Sequence, residues 1–73
     1  MNSWVYTVVS GLYIGPELSS HIGYGIMINT HDGTIVVPDI YTDVEDADYL
    51  ADLFNRHQLT PIHIWDAVED ALA

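Results

Sequence analysis

The polar and apolar positions of this chain change period near its middle. From His21 to Asn29 they alternate, and Ile22, Tyr24, Ile26 and Ile28 fall on one face, the mark of a half-buried strand. Trp4 to Val9 is rich in β-branched and aromatic residues, and Leu12 to Ile14 continues it past Ser10-Gly11. Gly15-Pro16-Glu17 and Ser19-Ser20 form the loop between these strands. Thr30-His31-Asp32-Gly33 is a hairpin signal, because Asp-Gly supplies the positive φ of a tight turn. Thr34 to Val37 is the returning strand. Pro38 has no N–H for a ladder, so that strand stops there or lies at an edge.

Beyond residue 41 the apolar period becomes helical. Val44, Ala47, Leu50, Ala51 and Phe54 share one side, with Leu53 flanking, and the helix should stop near His57. Thr42 with Glu45 reads as its capping box. Thr60-Pro61 opens a second helix, with Thr as N-cap and Pro at the first position. Its buried side is expected to be Ile64, Trp65, Val68 and Leu72. The expected fold is α+β, β-β-β-α-α: a three-stranded antiparallel sheet (1–41) followed by a helical hairpin (42–73), in one domain of 73 residues. Two short helices cannot cover both faces of the sheet. Met27 and one side of the first strand are therefore expected on a bare reverse face, suited to a homodimer or a protein ligand.

Charge sharpens this picture. The formal net charge is −10, against a hydrophobic content of 49% that argues for folding rather than disorder. Residues 1–38 carry only Glu17 and Asp32, whereas 39–73 carry nine acids and the lone base, Arg56. Such a field repels nucleic acid and anionic membrane, and attracts a partner with a basic surface. Glu45, Asp48 and Asp52 form a polar stripe on the first helix, where Arg56 can pair with Asp52 at i,i+4. Asp66 and Asp70, with Glu69 nearby, stand on the second. The sequence contains no cysteine, no basic leader and no apolar run long enough for a bilayer, which together suggest the cytoplasm, here of a bacterial host.

The segment Leu53-Phe54-Asn55-Arg56-His57-Gln58-Leu59-Thr60-Pro61-Ile62-His63-Ile64-Trp65-Asp66-Ala67-Val68-Glu69-Asp70 resembles the closing segment of small proteins from clostridia-type anaerobes. Tyr24-Gly25-Ile26 and Tyr41-Thr42-Asp43 echo the same pattern. Those proteins have no assigned activity, so the resemblance implies the fold and no chemistry. Thr60 stands where they often have Ser, and Phe54 where Cys is common.

Candidate chemistry is sparse. His57, His63, Asp66 and Asp70 cluster along the chain, but a structural zinc site needs a closer-knit set, so no metal and no cofactor are expected. The stretch Asp43 to Asp48 lacks the EF-hand glycine, and its twelfth position is Phe54. Gly23-x-Gly25 sits inside a strand, where it serves close packing rather than phosphate binding. Carboxylates on solvent faces have nothing to shift their pKa, so no enzyme is expected. Trp4, Tyr6, Tyr13, Tyr24 and Trp65 are expected in the core, with Trp4 and Tyr13 alternatively anchoring an interface. The leading expectation is a non-enzymatic inhibitor. Its acids at 45, 48, 52, 66, 69 and 70 would mimic nucleic-acid phosphates and fill a basic groove, as anti-CRISPR-like counter-defence proteins of phages and mobile elements do. The alternative is a dimeric regulatory or adaptor domain that binds through its apolar sheet face, its acids serving only solubility.

Overall fold

A computed structural model of the chain describes residues 3–73. Three strands, β1 (Tyr6–Ile14), β2 (Ser20–Thr30) and β3 (Gly33–Tyr41), form an antiparallel meander in the order β1-β2-β3. Helix α1 (Val44–His57) follows, then a 3₁₀ turn at Pro61–His63 that leads into α2 (Ile64–Leu72). The architecture is α+β, three antiparallel strands followed by two helices.

The register aligns Tyr6 with Ile28, Val8 with Ile26 and Leu12 with Ile22 on one face, and places Ile28 beside Ile35 and Ile26 beside Val37. Period-two patterning therefore collects Tyr6, Ile26, Ile28 and Val37 into a buried sheet layer. Leu50, Ala51 and Phe54 of α1, together with Ile64 and Val68 of α2, bury against it. Tyr6 meets Phe54 edge-on at a ring-centroid distance of 5.3 Å, a favoured aromatic geometry. Both helices use this one face. On the reverse face Val9 and Met27 are only half-buried and Val36 is exposed.

Several local expectations need correction. The first strand is one unbroken element that begins at Tyr6, and Trp4 precedes it. Of the two expectations for Pro38 the edge position holds: the third strand runs past it to Tyr41 as an edge strand, with an irregularity that sets Pro38, Asp39 and Ile40 opposite Gly25. Asp43, not Thr42, caps α1, and its carboxylate accepts the Glu45 N–H at 2.9 Å. Thr60 makes no side-chain cap bond. Pro61 starts the 3₁₀ turn, and the α-helix proper begins three residues later, at Ile64. The turn before β3 takes its positive φ at Gly33 (128°), as Asp-Gly led one to expect.

Burial departs most from periodicity at the ends of elements. Trp65, placed on the buried side of the second helix by its spacing, is 54% exposed, and Leu72 and Val44 are exposed as well. Ile22 belongs to the core face but is 56% exposed. The reason is one of coverage. The molecule measures 46 × 24 × 18 Å, and the helices cover the half of the sheet nearest residues 6 and 28. The far half of the β1–β2 hairpin reaches past them and leaves Leu12 and Ile14 71% and 72% exposed. Of the five aromatics assigned to the core, Tyr6 alone is buried; Trp4, Tyr13 and Tyr24 are half-buried.

Candidate functional site: acidic helices and an open sheet edge

The acids of α1 stand outward because the apolar stripe of the helix points at the sheet. Glu45, Asp48 and Asp52 are all exposed, as are Asp66, Glu69 and Asp70 on α2. Arg56 donates through Nε to Asp52 at 2.9 Å, in the expected i,i+4 arrangement. Both groups are more than half exposed, so solvent screens the pair and its contribution is small. Tyr49 lies exposed on the same helix and adds an aromatic ring to the acidic surface.

The C-terminal end of α1 meets the outer edge of β1 through side-chain amides. Asn55 accepts the Tyr6 N–H on Oδ1 at 2.7 Å and donates from Nδ2 to the Tyr6 carbonyl at 2.9 Å. Gln58 repeats the arrangement on Trp4, accepting its N–H at 2.8 Å and donating to its carbonyl at 2.9 Å. Gln58 can do so because it takes the left-handed conformation (φ 48°) that ends the helix. Its own N–H and that of Leu59 return to the Asn55 and Phe54 carbonyls in a Schellman-type cap. The Tyr6 hydroxyl donates to the Leu59 carbonyl at 2.6 Å, and burial pushes its pKa above the ordinary tyrosine value.

On the reverse face lies a group the sequence did not reveal. Asp39 is left-handed (φ 53°), and its carboxylate lies over Gly23, where a Cβ would collide with it. There both of its oxygens face His21 Nε2 at 3.1 Å. The Tyr13 ring covers Gly11 and approaches Gly23, and its centroid is 5.9 Å from that of His21. Tyr13 is thus half-buried over a glycine floor. The one signal for this cluster was Gly23-x-Gly25, and it required the β3 irregularity to bring Asp39 into place.

Trp4 packs against the core and helps line a groove of about 420 Å³ with Thr30, Asp32, Gly33, Thr34, Ile35, Thr60, Pro61 and Ile62. Met27 lies mid-sheet on the reverse face. His57, His63, Asp66 and Asp70 are all exposed, and among the described residues no three His, Cys, Asp or Glu side chains gather as a metal-binding set. No described helix is long and apolar enough to cross a membrane.

The model of a family of unknown function, DUF6514, matches residues 2–73, and the chain belongs to that family. No curated protein and no solved structure matches it.

Proposed function

We propose that this protein acts by binding rather than by catalysis, and that its acidic helices dock onto a basic, nucleic-acid-binding surface of another protein. The observation that carries the reading is the exposure of Glu45, Asp48, Asp52, Asp66, Glu69 and Asp70 on helices whose lone base, Arg56, already pairs with Asp52. A surface evolved only for solubility mixes both signs, because unrelieved repulsion costs stability. Carboxylates repeated along two helices instead offer a partner's Lys and Arg the kind of anionic array that phosphates offer. An inhibitor of the counter-defence type, bound in the groove of a nuclease or repressor in a bacterial cytoplasm, fits this description.

The test is capture of partners from host lysate at low salt, followed by elution with DNA or heparin. Recovery of a nucleic-acid-binding protein that DNA displaces supports the reading, provided that Glu45→Lys, Asp48→Lys and Asp52→Lys together abolish capture while the far-UV spectrum is unchanged. Capture that survives the triple reversal would overturn it. A second reading, an adaptor that binds through apolar sheet surface, draws on the exposure of Leu12, Ile14 and Ile22. It predicts a partner retained at high salt and indifferent to the reversal.

A further inference from the structure

The outer edge of β1 is half occupied and half open. Backbone N–H and C=O groups of a strand point alternately to its two sides. Those of Trp4 and Tyr6 point away from β2, because Gln58 and Asn55 bond them there. By alternation, Val8, Ser10, Leu12 and Ile14 present their backbone groups to the same outer edge, and no side chain among the described residues performs for them the service of Asn55. Natural edges are guarded by charge, proline or a bulge. The stretch Tyr6–Ile14 (YTVVSGLYI) has no charge and no proline, and its pairing with β2 runs without a bulge.

We propose that this edge pairs with a second copy of itself, β1 antiparallel to β1 across a two-fold axis at Gly11, to form a continuous six-stranded sheet. Three observations select a second copy as the occupant. The first is self-complementarity. With Gly11 on the axis, Ser10 faces Leu12 of the other copy and Val8 faces Ile14, so all four open residues are used in each chain. The next outward position, Tyr6, would face Pro16, which has no N–H to give, and the Tyr6 edge is already filled by Asn55. The open stretch therefore ends at matching points from both directions.

The second observation is electrostatic. Each chain carries a formal charge of −10, yet residues 1–38 hold only Glu17 and Asp32, so the seam joins uncharged strands and leaves the acidic helices on the bodies beyond it. The third is apolar surface. Leu12 and Ile14 are exposed on the hairpin and come to lie beside Ser10 and Val8 of the other copy. Four paired residues a side bury less than the roughly 1,200–2,000 Å² of a standard stable interface, so the dimer is a weak one that forms with rising concentration. The pairing is edge to edge and independent of the acidic docking proposed above. The two respond oppositely to salt, which screens repulsion between like-charged chains but weakens docking to a basic partner.

The test combines sedimentation equilibrium with amide hydrogen exchange on the full chain. The expected result is a concentration-dependent rise from 8.2 kDa toward twice that mass, favoured by added salt. Slowed exchange at Val8, Ser10, Leu12 and Ile14 should accompany it. Leu12→Lys places a charge at the seam on a side chain already exposed, and Ser10→Pro removes an outward N–H that the β1–β2 ladder does not use. Each should weaken the dimer about tenfold or more, whereas Val36→Lys on β3 should not. A chain that stays at 8.2 kDa at millimolar concentration with fast exchange at those amides overturns the proposal. So does a dimer that both seam variants leave intact.

Discussion

The side-chain amide of Asn55 makes both hydrogen bonds to Tyr6 that a neighbouring strand would make, one to its N–H and one to its carbonyl. A residue in the last turn of a helix thereby closes one position of a sheet edge. Gln58 closes the next at Trp4, so the helix end also fixes where the chain enters β1.

Replacement of Asn55 by alanine should leave two partly buried backbone groups without partners and cost about 2 kcal/mol, read from urea unfolding. Asn55→Asp keeps an acceptor for the N–H but turns a second oxygen toward the Tyr6 carbonyl. Its stability should therefore recover in part as pH falls through the carboxylate range and the acid gains a proton to donate. An Asn55→Asp variant with a flat acid profile would refute the two-bond account.

The Tyr6 phenol couples stability to alkaline pH. Burial raises its pKa in the folded chain above the ordinary value of 10.0, so the folded state holds the proton more tightly than the unfolded state does. The corresponding stability is full below pH 10.0 and declines as pH climbs past it toward the folded pKa. Tyr6→Phe should remove this share of the alkaline decline. At neutral pH it should cost about 1 kcal/mol for the bond to Leu59, measured by urea titration at several pH values.

Two left-handed residues should respond to glycine with opposite sign. Leu18 (φ 61°) turns the β1–β2 hairpin with its side chain 87% exposed, so nothing but strain depends on it. Leu18→Gly should be neutral to stabilising, by up to about 1 kcal/mol. Gln58 (φ 48°) carries the same strain, but its amide ties down Trp4. Gln58→Gly should lose about 1 kcal/mol net, because three side-chain bonds, two to Trp4 and one to the Asn55 carbonyl, go for one strain relieved. Thermal melts of the two variants decide the matter.

Alternation and helical spacing are local, and they read the elements well: the Ile26 and Ile28 face, the Leu50, Ala51 and Phe54 stripe, and the Asp52–Arg56 pair were all legible. What depends on how far one layer extends over another was not. Trp65 and Ile22 occupy apolar positions by period, yet the helices are too short to cover the hairpin, and α2 buries only Ile64 and Val68 and leaves Trp65 on its flank exposed. The amide pairing of Asn55 with Tyr6 was equally hidden, since 49 residues separate the two along the chain. Of the candidate site, the acids and their exposure were readable from the sequence. The open edge was not, because it is defined by what Asn55 and Gln58 leave uncovered.

Gly23 and Gly25 stand two residues apart in β2, and a methyl group added to each would meet different obstacles. At Gly25 it would strike the Val37 carbonyl and the Pro38 backbone, which the β3 irregularity holds in place. Backbone cannot step aside without undoing the register, so Gly25→Ala should cost about 3 kcal/mol or more. At Gly23 the obstacle is the Asp39 carboxylate, the end of a side chain that can rotate. Gly23→Ala should therefore cost only about 1 kcal/mol, but it should part Asp39 from His21, which now lie 3.1 Å apart. The two readouts are separable. Urea unfolding ranks the variants, and cross-relaxation between the His21 ring protons and the Asp39 methylene reports the contact. Equal losses from both substitutions would mean that the β3 backbone beside Gly25 is as yielding as a side chain, and the irregularity would then not be what fixes the β2–β3 register.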